Sequence, residues 1–173
     1  MRKKKIKSIF IGTRIEALKT LSRFTKVIGI ITTKNSFVHK SKKKIVFFCN
    51  KANKKKINIF LKNVEADLIF SSGYPYIIPK NVLIKKKIFL NSHPGLLPKY
   101  KGRKSIPHAY YNEEKYIGCT VHYINENIDD GKIIYQKRAN IKNLKLNEVY
   151  QLIFSKIEPQ VVKRSLKKVF KSI

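Results

Sequence analysis

Two short stretches of this chain hold residue types that do chemistry, at spacings that make it feasible. The first is Asn91-Ser92-His93-Pro94-Gly95-Leu96-Leu97-Pro98-Lys99-Tyr100-Lys101-Gly102. Asn91 and His93 stand two positions apart, so on an extended backbone their side chains share one face. An amide and an imidazole side by side can serve an acyl centre. The amide donates to an oxygen as it gains negative charge, and the imidazole moves a proton. The same pair would equally make a capping amide and a structural histidine in a turn. The second stretch, Gly118-Cys119-Thr120-Val121-His122-Tyr123-Ile124-Asn125-Glu126-Asn127-Ile128-Asp129-Asp130-Gly131, crowds acidic and amide groups between two apolar runs. One buried carboxylate there can hold an imidazole in its reactive protonation state. A surface turn rich in Asn and Asp is the alternative, and by composition the commoner one.

The elements that position these stretches follow from the hydrophobic pattern. Apolar runs at 6–11, 27–32, 45–48, 68–71 and 88–91 read as buried strands separated by helical segments. Ile15, Leu18, Leu21 and Phe24 recur at helical spacing, and Ile57, Phe60 and Leu61 form the inner face of a Lys-rich helix. Strands alternating with helices imply an α/β fold, a Rossmann-like, mostly parallel sheet covered on both faces. Asn91 falls at the C-terminal end of strand 88–91, the edge at which such sheets bind ligands. Runs at 119–124 and 133–137, joined by a turn containing Gly131, read as neighbouring strands that extend the sheet. Positions 147–170 suit a C-terminal helix that Pro159 kinks or divides. His108 falls on a short helix after the first motif, and His122 reads as a structural histidine in mid-strand.

Composition sets the outer bounds. The 173 residues fit one domain, and 43% hydrophobic residues suffice for a core, which excludes a disordered chain. Lys+Arg is 39 against Asp+Glu 10, a net charge of +29, and a polyanionic partner is the first implication. The cations are 33 Lys and only 6 Arg, scattered from Lys3 to Lys171. Arg makes the bidentate phosphate and base-edge contacts, so its scarcity argues for compositional drift over a nucleic-acid surface. Lys clusters at 42–44, 54–56 and 85–87 read as solvated faces and loops. No apolar run reaches the roughly 18 residues of a membrane span. Lys7 interrupts the apolar stretch after the basic N-terminus, and the expectation is a cytoplasmic protein with no membrane partner. Cys49 and Cys119 lack metal-ligand spacing and read as buried reduced thiols, so no metal site is expected.

Asn91-x-His93-Pro94-Gly-Leu-Leu-Pro98 and Gly118-Cys-Thr-Val-His-Tyr-Ile-x-Glu126-x-Ile-Asp129-x-Gly131 together resemble the 10-formyltetrahydrofolate-dependent formyltransferases. That family includes glycinamide ribonucleotide formyltransferase, the catalytic domain of methionyl-tRNA formyltransferase and the sugar N-formyltransferases. The resemblance covers about residues 7–140 and implies one formyltransferase catalytic domain over 1–173. It implies a catalytic trio matching Asn91, His93 and Asp129. Asp130 is set aside because the family's aspartate directly follows the apolar residue, here Ile128. The resemblance further implies 10-formyltetrahydrofolate as formyl donor. Its pterin would lie against the backbone of Tyr74, Pro75, Tyr76, Ile77 and Ile78, with Asn125, Glu126 and Ile128 on its other side. The Leu97-Pro98 peptide is a candidate cis bond on the same ground.

The acceptor is argued from departures. The Gly-x-Gly-Ser/Thr-Asn phosphate loop of the ribonucleotide enzymes is replaced by Phe10-Ile11-Gly12-Thr13-Arg14, although Thr13 and Arg14 could still meet a phosphate at a helix N-terminus. The basic insertion of the tRNA enzymes has at best a short counterpart at 33–44. The resemblance therefore points to the amine of a nucleotide-linked amino sugar, with Arg103 and Lys104 placed to pair with its diphosphate. Glycinamide ribonucleotide and methionyl-tRNA remain alternatives, as does a non-catalytic paralogue that binds folate or nucleic acid. A homodimer is left open.

Overall fold

The computed structural model describes residues 5–41 and 45–171; the Lys cluster at 42–44 lies outside them. The chain divides into two compact units, Met1–Leu90 and Asn91–Ile173. Strands and helices alternate through the first: β1 (Lys7–Gly12), α1 (Ile15–Phe24), β2 (Lys26–Thr32), β3 (Ile45–Phe48), α2 (Lys54–Asn63), β4 (Leu68–Ser72) and the start of β5 (Ile88–His93). β1 pairs in parallel with both β2 and β4, and β2 with β3. The strand order of the seven-stranded sheet is β3-β2-β1-β4-β5-β6-β7. This is the α/β, mostly parallel architecture that the alternation of runs implies.

A parallel strand covered on both faces must be apolar on both. Ile9, Phe10 and Ile11 of β1 and Leu68, Ile69 and Phe70 of β4 are accordingly all buried. Leu18 and Leu21 of α1 and Ile57 and Leu61 of α2 are buried as their spacing implies, whereas Ile15 and Phe24 are half-buried. Phe60 is half-buried and meets the Phe47 ring edge-on. β1 must end on glycine: Gly12 has φ +133, and a Cβ there would sit 1.9 Å from the Ser72 carbonyl oxygen. One Lys cluster is not wholly solvated. Lys85 and Lys86 are exposed, but Lys87 Nζ donates to the Leu61 and Lys62 carbonyls at 3.1 and 2.6 Å, at the C-terminal end of α2. A cation there meets carbonyls that have no partner within the helix.

The second unit holds the end of β5, then α3 (Ser105–Tyr111), β6 (Tyr116–Tyr123), β7 (Ile133–Asn140), α4 (Leu146–Leu152) and α5 (Glu158–Lys171). β6 and β7 pair antiparallel, with Thr120 opposite Gln136. α5 packs on both through Val161, Val162, Leu166 and Val169. Between α4 and α5 the helix widens to a π-turn at Ile153–Ile157, where the Glu158 N–H reaches back to the Ile153 carbonyl. The cause is Pro159, which has no N–H to donate and whose ring crowds the carbonyl four residues earlier.

β5 runs two residues past its apolar stretch, to His93. Its polar end is buried: Ser92 is 2% and His93 3% exposed. Ser92 Oγ donates to Glu158 Oε1 at 2.7 Å, tying the C-terminal end of the strand to the first turn of α5, and lies 3.3 Å from Cys119 Sγ. Both cysteines are buried free thiols. Because a buried carboxylate that loses a donor carries the desolvation cost, Ser92→Ala should lower unfolding stability by about 1–3 kcal/mol. Denaturant unfolding checks this, and an unchanged midpoint would contradict it.

Candidate active site

Three side chains of the second unit converge on one carboxylate. β5 presents Asn91 and His93 on the same face, as the two-residue spacing requires. β6 presents His122, and the turn after it presents Asp129. Asp129 adopts φ 46, a left-handed conformation that Asp tolerates better than most residues. Its Oδ1 accepts from Asn91 Nδ2 at 3.1 Å and lies 3.4 Å from His122 Nε2. Its Oδ2 accepts from the Gly102 N–H at 2.8 Å and lies 3.2 Å from His93 Nδ1. Asp130 points elsewhere, pairing with Lys101.

The protons can be assigned from the partners. His93 Nε2 lies 2.7 Å from the Tyr100 carbonyl oxygen, which can only accept, and its Nδ1 faces the Asp129 carboxylate. A neutral imidazole has one proton for those two acceptors; an imidazolium has one for each. Burial opposes the cation and holds the His93 pKa below the ordinary imidazole value, against the opposing pull of Asp129 and the Tyr100 carbonyl. For Asp129 burial acts to raise the pKa. Its approach to His122, the charge of His93 and the Gly102 N–H outweigh it, so the carboxyl lies below its usual range. The resting site is therefore an ionised carboxylate beside a neutral imidazole that has a place ready for a second proton.

The sequence reads His122 as structural, and the structure places it beside Asn91 and Asp129. It is 2% exposed, and its Nδ1 lies 2.8 Å from the Tyr123 carbonyl, which requires the proton on Nδ1 in the neutral ring. Nε2 is then an acceptor, 3.2 Å from Asn91 Nδ2. Both Asn91 amide protons are thus engaged, one on Asp129 and one on His122. The signal that could have found His122 is the strand alternation from Thr120, combined with the acidic turn that returns to the same strand end.

The loop after β5 is built to hold this cluster. The Leu97-Pro98 peptide is cis. Thr120 Oγ1 donates to the Gly95 carbonyl at 2.6 Å, and Gln136 Nε2 donates to the Leu97 carbonyl at 3.1 Å. A Cβ at Gly95 would lie 2.7 Å from His93 Nε2 and 3.2 Å from the Tyr100 oxygen, so only glycine lets imidazole and carbonyl meet. Arg103 and Lys104 are exposed on this loop. His108 lies on α3, as its sequence context implies. Asn125 is half-buried with its Oδ1 accepting the Asn127 N–H, Glu126 is exposed, and Ile128 is 54% exposed.

The remaining sequence-selected residues lie in the first unit. Thr13 and Arg14 join β1 to α1; the Thr13 N–H donates to the Ser72 carbonyl at 3.0 Å, and Arg14 occupies the N-cap. In the stretch after β4, Pro75 is exposed and Ile77 is 55% exposed, whereas Ile78 is 4% exposed and belongs to the core. The Tyr74 hydroxyl is buried with no hydrogen-bond partner among the described residues, and burial raises its pKa well above the usual phenol value.

The formyl transferase family matches residues 10–166, and the chain belongs to that family. It is 35% identical over 99 residues to the GDP-perosamine N-formyltransferase of Brucella melitensis, an alignment covering 57% of this chain and 38% of that protein. It is 29% identical over 184 residues to the methionyl-tRNA formyltransferase of Thermodesulfovibrio yellowstonii, covering 95% of this chain and 60% of the relative. The chain thus matches less than two thirds of the length of either. The fold is shared with phosphoribosylglycinamide formyltransferase from Streptococcus pneumoniae, at TM-score 0.82, 18% identity, and coverage of 96% of this chain and 99% of that one. It is shared too with a formyltetrahydrofolate deformylase from Pseudomonas syringae, at TM-score 0.80, 19% identity, and coverage of 98% and 63%.

Two consequences can be read on the His93 ring by nitrogen-detected NMR. Because the Asp129 charge raises the proton affinity of His93, Asp129→Asn should move its titration midpoint further below the ordinary imidazole value. An unmoved or raised midpoint would contradict the pairing. Gly95→Ala should part the ring from the Tyr100 carbonyl and so remove the hydrogen bond on Nε2. Its persistence would contradict the contact.

Proposed function

We propose that this protein transfers a formyl group from 10-formyltetrahydrofolate to a primary amine. The observation that carries the reading is the Asn91–His93–Asp129 cluster, held at the end of β5 in a chain of the formyl transferase family. The donor supplies an activated formyl carbon; the chain's own residues supply orientation and proton handling. The stretches assigned to the donor fit that task. Ile77 in one and Ile128 in the other expose apolar side chains, which suit contact with a flat ring. Tyr74, Pro75, Tyr76 and Ile77 are the proposed contacts from the first stretch, with Asn125, Glu126 and Ile128 from the second. Ile78, whose side chain is buried, is proposed as a backbone contact alone.

In this reading the Asn91 amide gives up its contact with His122 Nε2 to donate to the formyl oxygen as charge develops there. Asp129 keeps the other amide proton and so fixes the direction of the first. His93, oriented by Asp129, moves the proton from the attacking amine toward the departing nitrogen by way of the imidazolium that Asp129 and the Tyr100 carbonyl both stabilise. Burial keeps that state short-lived, and the proton passes on to the departing nitrogen. Asp129 itself stays ionised throughout. Aligning three groups within hydrogen-bonding reach removes most of the entropic cost of bringing them together during the reaction.

For the acceptor we favour the amine of a nucleotide-linked amino sugar, with Thr13 and Arg14, and separately Arg103 and Lys104, as proposed contacts for its phosphates. The identity to the Brucella enzyme and the replacement of the Gly-rich phosphate loop by Gly12-Thr13-Arg14 support this. One observation favours methionyl-tRNA instead: the Thermodesulfovibrio match spans nearly the whole chain. Release of tetrahydrofolate should be measured with nucleotide-linked amino sugars, glycinamide ribonucleotide and charged initiator tRNA. Turnover with a sugar alone supports the favoured acceptor, and turnover only with one of the other two overturns it. With the productive acceptor, Asn91→Ala should lose roughly 10²–10³ in turnover, the usual cost of one oxyanion donor. Near-normal turnover would remove Asn91 from that role.

A further inference from the structure

We propose that Glu114 is a positioning residue for His93, acting through a latch on the Tyr100 side chain. The inference rests on the reading above that His93 moves the proton. It begins with a conformational oddity: Tyr100 has φ 55, a left-handed backbone that costs a bulky residue of this hand about 1–2 kcal/mol. That conformation is what turns the Tyr100 carbonyl toward His93 Nε2, 2.7 Å away. Something must hold it, and the side chain shows what does. The Tyr100 hydroxyl donates to Glu114 Oε1 at 2.7 Å and accepts from Asn112 Nδ2 at 3.4 Å.

Glu114 is itself delivered by a second left-handed residue. α3 closes with the Glu113 N–H on the Tyr110 carbonyl and the Glu114 N–H on the Ala109 carbonyl, both at 3.1 Å. This is the helix-ending pattern whose left-handed position usually belongs to glycine. Glu113 occupies it with φ 54, and the next residue swings under the Tyr100 ring. Two uncommon backbone conformations, one on each side of a single hydroxyl–carboxylate bond, meet to set the direction of one carbonyl.

The surroundings leave the latch little substitute. Lys99 Nζ approaches the same Glu114 oxygen at 3.0 Å, but its side chain is 72% exposed and so a weak anchor. A cavity of about 30 Å³, bordered by Gly95, Tyr100, Glu114 and Tyr116, adjoins the latch. The Tyr100 hydroxyl, followed by Lys99, holds the Glu114 carboxyl below the usual carboxylate range, so the latch is closed at neutral pH. The other groups facing His93 are Asp129 and His122, and neither touches Glu114.

The test follows the His93 ring by nitrogen-detected NMR titration in the wild type, Glu114→Ala, Glu114→Gln and Tyr100→Phe. The Tyr100 carbonyl raises the proton affinity of His93, so releasing it should lower the midpoint. Glu114→Ala and Tyr100→Phe should each lower it by about 0.5 pH unit, roughly threefold in proton affinity. Glu114→Gln keeps an oxygen that accepts from Tyr100 and should rescue the wild-type midpoint. An unchanged His93 midpoint in Tyr100→Phe, the volume-conserving variant, overturns the proposal even if Glu114→Ala fails to fold. Failure of Glu114→Gln to rescue overturns it as well, because the effect would then be one of charge and not of the latch. If the midpoint moves as described while formyl transfer does not change, the latch stands and the role given to His93 in the reaction falls.

Discussion

Everything in the second unit that bears on chemistry depends on one shared carboxylate. Asp129 accepts from Asn91 on one oxygen and from the Gly102 N–H on the other, and lies within 3.4 Å of two imidazoles. A carboxylate so enclosed is costly to bury unless each lone pair is used. Here the use of each lone pair also does the positioning. The amide is aimed, the His93 ring is oriented, and the loop carrying Gly102 is fastened to the turn after β6. The left-handed residues Tyr100, Gly102 and Lys104 alternate along that loop. The first faces its carbonyl to His93 and the second its N–H to Asp129, so backbone groups as well as side chains complete the site.

Proton supply is the second consequence. His93 faces two oxygens with one proton in its neutral form, and burial denies it the second at rest. A group in that position accepts a proton readily when one is generated next to it and does not retain it. A general base needs that balance. The amide of Asn91 shows the same economy. Its two protons are occupied by Asp129 and His122, and the contact with neutral His122 is the one more easily exchanged for a developing oxyanion, because charge-assisted bonds are the stronger.

Much of this was legible in the sequence, for physical reasons that also mark where legibility stops. Strand alternation placed Asn91 and His93 on one face, and the continuous apolar runs of β1 and β4 announced a covered parallel sheet. The end of β5 was not legible. Asn91, Ser92 and His93 carry no apolar signature, yet Ser92 and His93 are buried, held by the Tyr100 carbonyl of the following loop and by Glu158 and Asp129 from far along the chain. His122 passed as structural because its Nδ1 bond to Tyr123 is local, while its approach to Asp129 depends on how the 125–130 turn folds back. Backbone groups such as the Tyr100 carbonyl carry no residue identity, so no reading of residue types reveals them. Lys87 makes the same point: within a run of three lysines, the position at which one meets the end of α2 is a property of the fold.

The central claim is that an amine, and not water, attacks the formyl carbon in a site organised by Asp129. Its most direct test is to follow 10-formyltetrahydrofolate labelled with ¹³C in the formyl group through a single turnover with the productive acceptor. The account predicts that the label appears as a formamide on the acceptor amine, at a rate that collapses when Asp129 is changed to Asn. Label recovered as free formate, or formamide formed at an unchanged rate by the Asp129→Asn protein, would contradict it.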